Sequence, residues 1–386
     1  MKLSKLMLSA FVAALAVTSC NKQEHTPEVN ANMKTINISF QNAVMTKGDA
    51  GTKISNNSPV KVNNLKIFLT DESFSSEYSA MDESAANPAQ FYWTSNTLAT
   101  GEMKATFHFV DHKCTRVVAI ANAGNISFED LKGYSAKIGE QQKQESLVLL
   151  AFDELDGPDG VHEDASTGKY TEVYKAQLTL KPLISRFEID GFSVAFTSPT
   201  PKFNKIEVTD VAFQNYYSTA SVAVVNGVLS ATGAGVQKPI EDPAKDAQVL
   251  PWFASDINAG WFRDSFTGLV MIPDDASTPE SENRADCSPR AYHFFAGNLV
   301  PTLLIKLKAD DQVSYVYTDK FRKSDAKDDY LYALEPGKIY RMKAAGRVAD
   351  DGSIPIPDDD IDPIKRCLDI TVEVIDWTVD LITPEF

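Results

Sequence analysis

From Thr35 to Gln41 polar and apolar residues alternate without a break. Ile36, Ile38 and Phe40 fall on one side of an extended chain, and Thr35, Asn37, Ser39 and Gln41 on the other. A period of two marks a half-buried strand and does not fit the stripe of a helix. Short runs of this kind recur at residues 65–69, 105–110, 172–180, 185–189, 205–213, 303–307, 313–317 and 339–344. Residues 116–121 are apolar on both sides, as a strand covered on both faces would be. Only residues 127–138 and 328–334 leave room for short helices. Many short strands punctuated by Gly, Pro and Asn predict an all-β chain of packed sheets rather than an α/β enzyme.

A chain of 386 residues exceeds one ordinary core and suits two domains. An acidic, Gly-containing segment at 153–168, then Pro182 and a new strand at Ser185, places a boundary near residue 181. The expected units are 34–180 and 181–386, with long polar loops at 238–256 and 273–290. A formal charge of −16 argues against a nucleic-acid partner, which requires a cationic surface.

The N-terminus reads as an export signal. Lys2 and Lys5 precede an apolar stretch at 6–17, too short to span a bilayer, and Val17-Thr18-Ser19-Cys20 follows. That ending resembles a bacterial lipobox, which implies a signal peptide at 1–19, lipid on Cys20 and a polar tether at 20–33. Cys114, Cys287 and Cys367 remain, an odd number that excludes a full disulfide framework; one bridge outside the cytoplasm stays open, and unpaired, mostly buried thiols are the favoured reading.

The C-terminal segment changes phase. Leu368, Ile370, Val372 and Val374 occupy even positions, whereas Ile375, Trp377, Val379 and Leu381 occupy odd ones. A bulge or a switch between two sheets would produce this; a terminal strand over 368–382 with two apolar rows could pair with two partners, while the pattern by itself favours a final strand that bulges and packs in its own domain.

No catalytic constellation emerges. His108 and His112 have the spacing of zinc-helix ligands but lie in a strand pattern, where residues four apart are separated by roughly 13 Å. Gly191-Phe192-Ser193-Val194-Ala195 imitates a nucleophile elbow without the following helix. Asp153, Asp156, Asp159 and Asp164, like Asp358-Asp359-Asp360, read as solvated acidic loops rather than calcium ligands. No phosphate loop or Cys-x-x-Cys pair is present, so neither an enzyme, a metal nor a cofactor is expected.

Four stretches together resemble the FimA-type fimbrial subunits, the lipoprotein-derived type V pilins. They are the lipobox with the strand Ile36 to Phe40; Val117-Val118-Ala119-Ile120-Ala121-Asn122-Ala123-Gly124; Ile184-Ser185-Arg186-Phe187-Glu188-Ile189; and the ending, Leu334-Glu335-Pro336-Gly337-Lys338-Ile339-Tyr340 with Val372-Glu373-Val374-Ile375-Asp376-Trp377 onward. The resemblance implies two transthyretin-like β-sandwiches with Greek-key-type connections and a cell-surface fimbrium assembled from such subunits. It also implies export as an outer-membrane lipoprotein, proteolytic release of the first strand (Ile36, Ile38, Phe40), and filling of the vacated groove by a neighbour's strand. The donor residues would be Leu368, Ile370, Val372, Val374, Ile375, Trp377, Val379 and Leu381. The basic residues that follow the first strand are Lys47 and Lys53, so cleavage is expected after one of them, removing 34–47 or 34–53. If neither is cut, the subunit keeps its lipid and serves as an anchor or accessory protein. The competing expectation is a surface lipoprotein that grips glycan or another ligand through Tyr92-Trp93, Trp252-Phe253 or Trp261-Phe262.

Overall fold

The computed structural model describes residues 29–40, 62–81, 88–94, 104–143, 146–165, 168–195, 203–225, 228–237, 262–272, 284–310, 312–323, 329–344, 353–357, 364–366 and 370–376. Strands dominate these residues. The helical elements among them are α1 (Phe128–Lys132) and a 3-10 turn at Ile138–Gln142, with a further 3-10 position at Ser146. A reciprocal cap starts α1: the Ser127 hydroxyl accepts from the Asp130 N–H, and the Asp130 carboxylate accepts from the Ser127 N–H. The second expected helix is absent from the described part of 328–334. There Tyr330 bridges Arg322 and Leu334 bridges Gly297, so non-local pairing overrides the local spacing.

Strands up to Pro182 build two sheets. The first contains β1 (Val29–Phe40), β5 (Lys104–Asp111), β9 (Val161–Asp164) and β10 (Lys169–Leu178), in the order β5-β1-β10-β9. The second contains β2 (Asn64–Thr70), β3 (Glu77–Tyr78), β4 (Tyr92–Thr94), β6 (Arg116–Ala121), β8 (Leu149–Glu154) and β11 (Lys181–Pro182). Its order is β11-β8-β6-β2-β3, with β4 also on β2. β6 is interior and buried at every position, as its apolar run predicts. Phe107 of β5 stacks on Phe91 at 4.7 Å, and the Phe91 carbonyl accepts from Ile67 of β2 at 2.9 Å, so the two sheets share a core.

Strands from Ile184 onward build two more. One contains β12 (Ile184–Ala195), β17 (Arg284–Phe295), β20 (Phe321–Arg322), β21 (Lys338–Ala344), β22 (Ser353–Pro357) and β24 (Ile370–Asp376). Its order is β17-β12-β21-β24-β20, with β22 also on β12. The other is β16-β13-β18-β19-β23, made of β13 (Ile206–Gln214), β16 (Phe262–Met271), β18 (Thr302–Ala309), β19 (Gln312–Thr318) and β23 (Ile364–Arg366). Phe187 of β12 meets Phe213 of β13 at 5.9 Å and Tyr340 of β21 at 5.2 Å, which places an aromatic cluster between these sheets. A fifth sheet crosses the division: β15 (Val228–Gln237) and β14 (Tyr216–Val225) continue onto β7 (Ser135–Lys137).

Two expected loops turn out to be paired. Within 273–290, the residues from Arg284 belong to β17, despite their polarity. The register jumps from Ile189↔Arg290 to Gly191↔Asp286, which leaves Pro289 in a bulge where its missing N–H interrupts no ladder. Within 153–168, the acidic residues edge β10. Asp156 exchanges main-chain bonds with Lys175, and the Asp153 carboxylate accepts from the Gln177 N–H at 2.7 Å.

Candidate functional site

β1 fills the interior of its sheet. From Lys34 to Phe40 it matches Glu172 to Leu178 of β10 residue for residue, in parallel, while β5 runs antiparallel on its other side. Strand alternation then sends Ile36, Ile38 and Phe40 inward, where they are 0%, 2% and 6% exposed. Burying each of these side chains contributes about 1.5–3 kcal/mol. The slot that β1 occupies is therefore apolar along its floor and lined by main-chain hydrogen-bonding groups on both walls.

The opposite face of β1 is covered at its start. The Thr35 hydroxyl bonds the Thr171 hydroxyl at 2.7 Å and His108 Nδ1 at 3.2 Å, and the His108 ring stacks on His162 at 4.3 Å. A bulge in β5 accommodates this contact, because the register shifts between Lys34 and Ile36 and Phe109 takes a positive φ of 55°. Lys34 is also buried. Its Nζ donates to the Cys114 carbonyl at 2.7 Å and lies 4.2 Å from the centre of the Tyr174 ring. Burial lowers the Lys34 pKa, and the Cys114, Glu172 and Asp111 charges oppose that shift. Towards Phe40 the outer face opens instead. A cavity of about 590 Å³ lies there, lined by Asn37, Ser39, Thr106 and Gln177 among others.

Both walls have a hold of their own beyond β1. β10 is bonded on its far edge by β9, and further along by Asp156, Asp159 and Gly160. β5 is bridged on its far edge by Met81, which exchanges bonds of 2.9 and 3.3 Å with His108. The slot thus has anchored sides independent of the strand inside it.

At the other end of the chain, Ile370–Asp376 pairs antiparallel with β21 from Lys338↔Asp376 to Ala344↔Ile370, and parallel with β20 at Phe321 and Arg322. The register is unbroken, so the expected bulge at Val374 and Ile375 is absent. Leu368, Trp377, Val379 and Leu381 lie outside the described residues, as do Cys20, Lys47, Lys53 and Cys367.

Among the other expected residues, His108 belongs to the β1 contact, while no group of three or more His, Cys, Asp or Glu among the described residues could hold a metal ion. Cys114 is a buried free thiol, and burial pushes its pKa up to about 11. Trp93 packs against the core rather than offering an open platform, and Trp252, Phe253 and Trp261 lie outside the described residues. Sequence reasoning missed Lys34, Thr35, Thr171 and Tyr174. The available signal was a basic residue placed two positions ahead of an apolar row.

No protein-family model matches this chain, and no curated protein does either. Solved structures do. A crystal structure of a fimbrilin (FimA) from Porphyromonas gingivalis aligns at 11% identity with a TM-score of 0.49, covering 90% of this chain and 99% of that one. A candidate cell adhesion protein from Bacteroides eggerthii aligns at 13% identity with a TM-score of 0.44, covering 91% and 98%. Another candidate cell adhesion protein, from Parabacteroides distasonis, aligns at 10% identity with a TM-score of 0.51, covering 90% of this chain and 98% of that one. That last likeness shows that this chain has the fold of the Parabacteroides distasonis protein over nearly the whole of both.

Proposed function

We propose that this chain is a subunit of a cell-surface fimbria, serving adhesion and assembled by strand exchange. The observation that carries this reading is the placement of β1. A strand at the N-terminal end of the fold sits inside a sheet, closes an apolar slot and is followed by the polar stretch that holds Lys47 and Lys53. Cutting that stretch turns β1 into a removable segment. Its loss exposes an apolar groove with ready main-chain donors and acceptors, which another strand covers by β-augmentation. The shared fold with a candidate cell adhesion protein supports the same direction.

In this reading Cys20 carries the lipid that takes the precursor to the outer membrane, and the chain comprises two transthyretin-like sandwiches that meet between Pro182 and Ile184. Protease releases 34–47 or 34–53, and a neighbour's C-terminal strand supplies Leu368, Ile370, Val372 and Val374. The partners are other fimbrial subunits. N-terminal sequencing of protein taken from the cell surface tests the reading. A mature start at Gly48 or Ile54, with a ladder of multimers in unheated samples, is expected. An acylated Cys20 on a monomer would overturn it in favour of a retained surface lipoprotein.

A further inference from the structure

Lys34 occupies a cation site inside the slot that β1 fills. Its side chain is 3% exposed, bonded to the Cys114 carbonyl and set over the Tyr174 ring. The Tyr174 hydroxyl donates in turn to the Glu172 carboxylate at 3.1 Å, and Asp111 adds a second negative charge nearby. The carbonyl, the aromatic face and the two carboxylates oppose the desolvation that burial imposes on the ammonium, so these groups suit a cation better than an apolar side chain. All of these groups belong to β5, β10 or the turn after β5, so none leaves with β1.

From Lys34 to Phe40 the strand runs basic, polar, apolar, polar, apolar, polar, apolar. A Lys or Arg followed at the second, fourth and sixth places by Val, Leu, Ile or Phe occurs once more in the sequence, at Arg366. There Leu368, Ile370 and Val372 correspond to Ile36, Ile38 and Phe40. Cys367, Asp369 and Thr371 stand where β1 has Thr35, Asn37 and Ser39. Asp369 can accept from Thr106 as Asn37 does, whose Oδ1 takes the Thr106 hydroxyl at 2.9 Å.

We propose that the slot vacated by β1 takes residues 366–372 of a second copy of this chain, with Arg366 in the Lys34 cation site. Leu368, Ile370 and Val372 then take the places of Ile36, Ile38 and Phe40. This rests on the strand-exchange reading and adds the register, the direction and the chemical class of the anchoring group. The incoming strand runs parallel to β10 and antiparallel to β5, as β1 does. A guanidinium suits the site because it stacks on an aromatic face while donating in its own plane. The anchor also fixes register: a slip of one residue turns the apolar row to the wrong face, and a slip of two withdraws the cation from its acceptors. In the free chain β23 pairs with β19, and β24 with β21 and β20. Donation therefore exchanges one ladder for another, and that cost keeps subunits apart until the slot is open.

The test uses the full chain with a specific protease site inserted between Phe40 and Val62, cut after folding. Synthetic peptides then compete for the slot, read by release of the native strand and by hydrogen-exchange protection at β5 and β10. A peptide of residues 364–374 is expected to displace the native strand and protect both walls. Its Arg366→Gln version should bind about tenfold more weakly, and its Arg366→Lys version close to normally. If a peptide of residues 29–41 re-enters but 364–374 does not, or Arg366→Gln binds equally well, the proposed register fails while strand exchange stands. If neither peptide enters the cut chain, strand exchange itself fails.

Discussion

The Gln142 carboxamide pairs with both main-chain groups of His293: its Nε2 donates to the carbonyl at 3.1 Å, and its Oε1 accepts from the N–H at 3.3 Å. β17 is the last strand of its sheet, so one side chain from the 3-10 turn satisfies part of an edge that a neighbouring strand would otherwise have to cover. Gln142→Ala removes both bonds. A loss of about 1–3 kcal/mol in unfolding free energy is expected, measured by denaturant titration.

The His293 ring predicts a pH dependence. Its Nε2 lies 3.1 Å from an Arg186 guanidinium nitrogen, which can only donate, so Nε2 accepts and the ring proton sits on Nδ1, bonded to the Gln141 carbonyl at 2.7 Å. Burial, reinforced by the Arg186 charge, pushes the His293 pKa down to about 3. As pH falls through the ordinary value near 6.5, the unfolded chain takes up a proton that the folded chain refuses. Stability from this group is therefore full above that value and is lost between about pH 6.5 and 3, at up to about 1.4 kcal/mol per pH unit. His293→Gln should flatten the slope between pH 6.5 and 5, where carboxylates contribute least; an unchanged slope would remove His293 from the account.

Ile38 tests the slot directly. It is 2% exposed at the centre of the β1 row, and truncation leaves a cavity between walls with far-side holds of their own. Ile38→Ala should cost about 2–5 kcal/mol in the intact chain. If β1 is released on maturation, the same substitution should have no effect on the stability of assembled fimbriae. Comparing thermal melts of precursor and polymer separates the two cases.

How much of this was legible follows from where each signal sits. β1, β2 and β6 announced themselves because their pattern is local and uninterrupted. The parallel partnership of β1 with β10 did not, since Thr35 and Thr171 are 136 positions apart and nothing near either residue marks the other. The role of Lys34 has no local signal, because its contacts come from the turn at Cys114 and from Tyr174 on a distant strand. The start of β17 is hidden for a different reason: a polar segment on a sheet edge needs no apolar alternation, and the register shift between Asp286 and Arg290 accommodates Pro289. No bulge falls between Ile370 and Asp376, and the rest of the second apolar row lies outside the described residues.

Tyr217 explains two glycines. A Cβ on Gly233 would stand 2.2 Å from the Tyr217 ring, and one on Gly297 would stand 2.8 Å from it. The ring covers backbone on the neighbouring strand, as aromatic residues do opposite strand glycines. Gly233→Ala should destabilise by about 1–3 kcal/mol through overpacking, and Tyr217→Ala in the same chain should recover part of that loss. Gly297 has a φ of 142°, so its alanine variant carries backbone strain that removing Tyr217 cannot relieve. A double-mutant cycle at each glycine distinguishes the two causes.

The strand pairing of β7 with β14 makes a prediction about cooperativity. Ala136 and Ala220 face each other across this ladder, each 1% exposed, and α1 with the 3-10 turn packs beside them. Main-chain bonds therefore join residues 135–137, which lie between β6 and β8 of the first pair of sheets, to the hairpin of β14 and β15. Such a junction should make the chain melt in a single calorimetric transition, whereas sandwiches joined by a linker alone would melt separately. Ala136→Pro deletes the N–H that β7 contributes at its centre without altering either aromatic core. Two resolved transitions are expected from that variant. A single transition at a lower temperature would mean that the buried contacts of His293 with Gln141 and Gln142 suffice to hold the halves together, and the double variant Ala136→Pro, Gln142→Ala should then separate them.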